Sequence, residues 1–404
     1  MSVALPELLD ATCPVCSHSV AARFYPAGDQ TLATLAWPAS AEAARLLPRH
    51  AQDFVQCPSC SHVWNHRFNY EAIPYETNPN RMFNKGGIWK GHLAATRDEL
   101  LAHLPDAPCV VEVGCGEGHF LRGLAQARDA GRFIGFDPNA SPETGHGVEF
   151  HARLFEPLVD MRAFNPDAVV IRHVLEHLME PAKLIDQLAW GAAAQANPGW
   201  LFAEVPCIDR VFETDRLADF FYEHVLHFTT ESFRTLMSRA GEIVTLAHGY
   251  DGEVVYALVR LYVSPARRSR ARLAADFAER STASRATIAQ QLSALADSGN
   301  RVAIWGGTGK AAAFIHQFGA DAARFPLVVD SDPHKAGTYV PGTGQKIEFR
   351  DVLKTSAVDV IVIPTQWRAR DIVAEMAREG IAARSVMIEH NGALIDFETQ
   401  PHPY

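Results

Sequence analysis

Three groups of residues in this chain have types and spacings that can do chemistry. The first lies in Cys109 to Asn139, CVVEVGCGEGHFLRGLAQARDAGRFIGFDPN. Gly114, Gly116 and Gly118 alternate after an apolar run that carries Glu112, and a second apolar run ends on Asp137. Glycine lets the backbone turn sharply and approach a ligand closely, and an acid closing the next strand is placed to accept hydrogen bonds from a ribose diol. This is the grammar of a nucleoside-containing cofactor site. It departs from the dinucleotide pattern G-x-G-x-x-G, because the third glycine comes one residue early. The second group is two C-P-x-C pairs, Cys13/Cys16 and Cys57/Cys60. Each forms a knuckle presenting two thiolates, and two knuckles complete a four-sulfur structural zinc site with no open position for catalysis. His18, His62 and His66 are substitute ligands; reduced core cysteines or a redox pair are the other readings. The third group is Phe221-Tyr222-Glu223-His224. Imidazole is the side chain best matched to proton transfer near neutral pH, and an adjacent carboxylate can orient it.

These residues need elements to hold them. Strand, glycine loop, helix and second strand in that order predict a doubly wound α/β sheet. A further apolar strand, Ala168 to Ile171, runs into Arg172-His173. His173 and Val174 then lie at the carboxyl end of the sheet, where such folds bind ligands, with Glu176 and His177 near the same rim. The strand GWLFAEVP leads into the loop that carries His224, and Leu258 to Ser264 closes the domain. Ahead of the core, the aromatic, turn-rich stretch after Phe68 can act as a lid, with Tyr70 and Tyr75 on the pocket wall. Residues 265–300 read as basic, Ala-rich helix bridging two domains. From Arg301 the strand–glycine–helix order repeats, with Gly306-Gly307-Thr308-Gly309-Lys310 as the loop and Asp330 ending the next strand. Backbone N–H groups at that helix start, with Lys310, suit a phosphate; Lys335 follows in a turn-rich loop.

At 404 residues the chain is long enough for two or three domains. A formal net charge of -10 argues against nucleic acid as the main partner. No apolar run approaches the roughly 20 residues of a membrane span, and the N-terminus has no secretory pattern, so the expected location is the cytoplasm. Paired cysteines there point to metal rather than disulfides.

The acidic strand, the E-x-G-x-G-x-G loop and the later acid resemble the class I S-adenosylmethionine (SAM) methyltransferases. With the four-cysteine module, HVLEH, EVP…YEH and IWGGTGK…VVDSDPHKAGTYVPGTG, nearly the whole chain resembles the three-domain sugar C-methyltransferases, which act on nucleotide-linked keto-sugars. The resemblance implies an α/β fold: a zinc-binding module over 1–68, a class I SAM-methyltransferase doubly wound sheet with its lid over 69–264, a helical linker over 265–300, and a second Rossmann-like domain over 301–404. It implies SAM and structural Zn2+ as cofactors. The donor would lie against Glu112, Gly114, Cys115, Gly116, Gly118, Asp137 and Pro138, with Leu154 and Phe155 beside the adenine and His173 and Val174 at the rim. A sugar nucleotide would meet Gly306, Gly307, Thr308, Gly309, Lys310, Asp330 and Lys335.

The family's base histidine lies in a Tyr-His-Glu-His run. Here Phe221 replaces the leading tyrosine and Tyr222 the first histidine, while Glu223 and His224 match. The implied mechanism is carbon methylation through an enolate, with His224 as base, Glu223 supporting it, and Tyr75, Tyr222 or His177 near the oxyanion. Rival readings are an oxygen or nitrogen methyltransferase of a small-molecule pathway, a nicotinamide oxidoreductase, and a non-catalytic SAM or sugar-nucleotide sensor.

Overall fold

A computed structural model describes residues 6–73, 84–140, 147–195 and 198–404. The chain forms two compact units, Met1–Ser264 and Pro265–Tyr404.

The large sheet of the first unit is centred on Cys109–Val113, whose Val-rich run is buried on both faces, as a central parallel strand requires. Arg132–Phe136 and then Val148–His151 lie on one side. Ala168–Arg172, Trp200–Pro206, Val254–Leu261 and Gly241–Gly249 follow on the other. The first five are parallel, while Val254–Leu261 runs antiparallel to both of its neighbours. The chain leaves the central strand toward one edge and returns to build the other. The loops after Cys109–Val113 and Ala168–Arg172 therefore diverge at the switch point where such sheets bind ligands.

A second, antiparallel sheet holds Leu8–Asp10, Val20–Gln30, His50–Gln56 and Val63–Asn65. Its last strand is Leu226–His227, from the loop carrying His224, paired through Leu226↔Trp64 and His227↔Val63. Val55, Cys57, Cys60 and Trp64 share one hydrophobic core with Leu226, Phe228 and the large sheet's Val111 and Ile171. The expected boundary at residue 68 is thus crossed by a sheet and a core, which is why 1–264 is one unit.

The second unit orders its strands Ile347–Phe349, Leu327–Asp330, Val302–Trp305, Val360–Ile363, Ser385–His390 and Ala393–Asp396. All pairings are parallel except the last, a hairpin turned by Asn391 and Gly392, both at positive φ. The segment expected as a linker is one helix, Pro265–Asp297, that belongs to this unit. Ile288 and Leu292 enter the unit's core, and the Gln291 side chain makes two hydrogen bonds with the Leu394 backbone. Among the described residues, no helix is long and apolar enough to cross a membrane.

Candidate active site

The first glycine loop closes on the neighbouring strand. Gly114 donates its N–H to the Phe136 carbonyl at 2.7 Å. Its φ of 68° suits glycine, and a Cβ there would stand 2.3 Å from Val174 Cγ2. Gly116 is also left-handed, at φ 51°, but a Cβ there would meet nothing within 4 Å. Its N–H donates to Asp137 Oδ2 at 3.0 Å, and Asn139 N–H donates to Oδ1 at 2.8 Å. Gly118 caps the helix His119–Gln126 against the Phe150 ring. Behind the loop, Glu112 is 4% exposed and its Oε2 has no hydrogen-bond partner. Burial pushes its carboxyl up to about 7 despite the nearby Arg172. An orphaned buried carboxylate oxygen and an open glycine face beside an acid fit a nucleoside cofactor that also carries a cationic group. Cys115 is buried against Gly135, and Pro138 is exposed in the turn after Asp137. Of the two residues expected beside an adenine, Leu154 is exposed, while Phe155 turns inward against Phe136 with ring centroids 5.1 Å apart.

The neighbouring strand delivers a cluster of ionisable groups. His173 has φ 54°, unusual for a residue with a side chain, and Glu204 holds it there. The Glu204 carbonyl accepts from His173 N–H at 3.0 Å, and its Oε1 bonds His173 Nε2 at 3.1 Å. Fully buried Glu204 also accepts from Arg172 at 2.6 Å and pairs with His92 Nε2 at 2.5 Å. Burial alone would raise its carboxyl; Arg172 and the two imidazoles hold it well below the usual range. His173 shows the converse. Burial opposes its charge, but Glu176 and Glu204 raise it to about 9. Neither Glu204 nor His92 is among the residues expected from sequence. The available signal was a lone acid inside the apolar run WLFAEVP, the same signature that marked Glu112.

Val174 rests on Gly114, and the short turn Leu175–His177 follows. His177 Nδ1–H donates to the Glu223 carbonyl at 2.8 Å. Its ring centroid is 4.9 Å from that of His224. Burial, then His177, His227 and His173, hold His224 well below the usual imidazole range, so it is neutral at physiological pH. The structure thus brings His177 and His224 together on the rim beside the glycine loop.

Two expected partners are turned elsewhere. The Glu223 carboxylate accepts from the backbone N–H of Ala33, Thr34 and Leu35 at 3.0, 2.7 and 3.0 Å. It anchors the segment between the cysteine knuckles, and only its carbonyl reaches the histidine pair; adjacent side chains in this turn face opposite ways. Tyr222 is 1% exposed and its hydroxyl exchanges hydrogen bonds with the Asn69 backbone, at 2.9 and 3.3 Å. It packs on His50 and Phe68, so it is a core residue rather than an oxyanion contact. Tyr75 lies outside the described residues.

The four paired cysteines converge, with all four sulfurs within 4.8 Å of one another. Cys13–Cys60 and Cys16–Cys57 are 3.6 and 3.5 Å apart. A tetrahedral ion about 2.3 Å from each sulfur would set them roughly 3.8 Å apart. The two knuckles repeat one geometry: Cys13 N–H bonds the His18 carbonyl as Cys57 N–H bonds that of His62, both at 2.8 Å. The Cys60 thiol lowers Cys13 to about 5, whereas burial pushes Cys57 up to about 11, an opposition that a bound cation would relieve. His62 stacks on Trp64 and lies tilted against Phe228, and His66 bonds Asp53.

In the second unit, Gly306 N–H donates to the Val329 carbonyl at 2.6 Å, and Gly307 is packed against Ile347. Gly309, at φ 59°, precedes the helix Lys310–Gln317, and Thr308 is half-buried between them. The Lys310 ammonium stands 3.9 Å from the centroid of Trp367, and Asp330 Oδ2 pairs with Lys335 at 3.2 Å.

Residues 89–245 match the family described as a methyltransferase domain, and residues 266–388 match the C-methyltransferase C-terminal domain. No curated protein matches the chain. Similar solved structures include N,N-8-amino-8-demethyl-D-riboflavin dimethyltransferase of Streptomyces davawensis, at 20% identity over 41% of this chain, with a TM-score of 0.32. The chain spans 54% of that enzyme's length. The N-methyltransferase NodS of Bradyrhizobium japonicum WM9 is 19% identical over 43% of this chain and 96% of its own, with a TM-score of 0.31. The 1,6-didemethyltoxoflavin-N1-methyltransferase of Burkholderia thailandensis is 17% identical over 44% of this chain and 82% of its own, with a TM-score of 0.34. The matched domains, on the sheet order and glycine-loop geometry described above, make the chain a SAM-dependent methyltransferase of the class I α/β fold that carries a C-methyltransferase C-terminal domain.

Proposed function

We propose that this enzyme methylates the carbon beside a ketone in a nucleotide-linked sugar. The observation that carries the reading is the half-buried His177–His224 pair on the rim beside the donor loop, in a chain whose C-terminal domain matches those of C-methyltransferases. An oxygen or nitrogen nucleophile needs little more than proximity and a modest base. A carbon acid needs a proton removed first. His224, held neutral, takes that proton, and His177 orients the site through its bond to the Glu223 carbonyl. When bound, SAM supplies a methyl group made electrophilic by its sulfonium. Glu112, Gly114, Gly116 and Asp137 hold that donor, while Gly306–Lys310, Asp330 and Lys335 hold the nucleotide of the acceptor. Cys13, Cys16, Cys57 and Cys60 hold a structural zinc ion that fixes the knuckles flanking the Glu223-anchored segment.

His224→Ala should keep SAM affinity while turnover falls by about 10²–10⁴-fold, the usual worth of a general base. Wild-type enzyme with a keto-sugar nucleotide in deuterated water should place solvent deuterium at the acceptor carbon, read by mass spectrometry. Unchanged turnover in the variant would reassign the base, and methylation of oxygen or nitrogen without exchange would replace the reaction class.

A further inference from the structure

Glu176 sits among the histidines and has no part in the mechanism assigned to His224 and His177. It is 2% exposed, and neither carboxylate oxygen has a hydrogen-bond partner. Burying a carboxylate is costly unless it is paired, so the groups that face it, beginning with its ion pair to His173, define its purpose. From its own segment come His173, whose Nδ1 lies 3.5 Å from Oε1, and His177. From the loop of residues 221–228 come His224 and His227; the carboxylate's field favours the charged form of His227. Donor atoms of Glu176, His177 and His224 all lie within 4.8 Å of one another. Beyond His173, Glu204 is already engaged by Arg172 and His92. Glu223, the acid next to the base in sequence, is committed to the 33–35 backbone. Glu176 is thus the carboxylate that the fold, rather than the chain order, places at the histidine pair.

We propose that Glu176 is the positioning carboxylate of the base: it supplies the counter-charge for the imidazolium formed on His224 when the acceptor's proton is removed. This rests on the assignment of His224 as the base. The acceptor C–H bond breaks, its electron pair remains on the substrate as the enolate, and the proton passes to His224. Glu176 takes no proton; its negative charge, shared with His173, offsets the new positive one in a site that also holds His177 and His227. With SAM bound, its sulfonium would supply the methyl group to the enolate carbon, the sulfur keeping the electron pair of the methyl–sulfur bond. His224 returns its proton to solvent before the next turnover.

The test is Glu176→Gln in the full-length enzyme, which keeps the shape and removes the charge. Turnover should fall by about 10²-fold, the lower end of a general-base contribution, with SAM affinity unchanged by calorimetry. The acid limb of kcat/KM should move to lower pH, because a histidine without its negative neighbour protonates less readily. Should Glu176→Gln fail to fold, Glu176→Asp reads the same point: the charge stays, so most of the rate and the position of the limb stay with it. A Glu176→Asp enzyme as slow as His224→Ala overturns the proposal. So does a slow Glu176→Gln enzyme with an unmoved acid limb, since packing alone then explains the loss. Unchanged turnover in Glu176→Gln alone overturns this proposal and leaves His224 in place; full turnover in His224→Ala overturns both. A second equivalent of divalent metal, beyond the one the four cysteines carry and absent from Glu176→Gln, would also overturn it, by making Glu176, His177 and His224 ligands.

Discussion

The two glycine loops are built on one plan and diverge in two respects. In each, a glycine just past the central strand donates its N–H to the carbonyl preceding an acid on the next strand: Gly114 to Phe136 before Asp137, and Gly306 to Val329 before Asp330. In each, one carboxylate oxygen accepts the N–H two residues on, from Asn139 or from Asp332. The other oxygen makes the difference. Asp137 turns it to the loop's own Gly116, and Asp330 turns it to the Lys335 ammonium. The strand on the far side of each loop completes the contrast. After Ala168–Arg172 come His173, Glu176 and His177; after Val360–Ile363 come Gln366, Trp367 and Arg368. One fold supplies both loops, but among the described residues just past the neighbouring strand only those beside the first include imidazoles and a carboxylate. The comparison teaches that one scaffold carries two such loops, and that the residues just past the neighbouring strand set them apart.

The comparison can be broken most directly at its acids. Asp137→Ala removes a charged acceptor, so SAM affinity should fall by about 10–100-fold, from the roughly 1.5–3 kcal/mol that hydrogen bonds to charged groups contribute. Calorimetry checks this, and the acceptor's KM at saturating SAM should stay put; an unchanged SAM affinity would move the donor away from this loop. A second test uses pH. His173 is raised in the folded protein to about 9, from an ordinary value of about 6.5. Its stabilising contribution is therefore fully present below about pH 6.5 and is lost as pH rises through 9. Thermal unfolding should fall across that window, and His173→Asn should flatten the fall; a profile indifferent to the substitution would take the Glu204 cluster out of the stability of the first unit. The smallest effect belongs to the second loop. Lys310→Met removes an exposed cation at the helix start, where an ion pair to the acceptor's phosphate would be worth about 0.2–1 kcal/mol. Acceptor KM should rise about 2–5-fold with SAM affinity unchanged, and an effect on SAM instead would undo the division of labour.

Much of the site was legible because it is local. Glu112, the alternating glycines and Asp137 lie within one strand–loop–helix–strand unit, where backbone geometry dictates which residue types fit. The cysteine knuckles are local as well, each closed by hydrogen bonds within six residues. The Glu204 cluster is not. His92 and Glu204 stand 112 positions apart, and Arg172 and His173 come from a third segment. No spacing rule joins them; only the pairing of adjacent strands and the packing of the helix Gly87–Leu101 do.

The run Phe221–His224 shows where the limit falls. Sequence by itself determined that an imidazole and a carboxylate would stand near the rim of a class I sheet, because strand periodicity and glycine placement dictate the rim. Tertiary structure decided which carboxylate faces which imidazole. Consecutive side chains in an irregular turn point to different neighbours, and those neighbours are chosen by long-range packing. Glu223 went to Ala33–Leu35 and Tyr222 to Asn69, because the antiparallel sheet takes Leu226–His227 as its edge strand and draws the loop against the cysteine module. Glu176, three residues beyond His173 on another segment, was left facing His224. Contacts across about 50 residues or more settled that exchange, and no local signal encodes them.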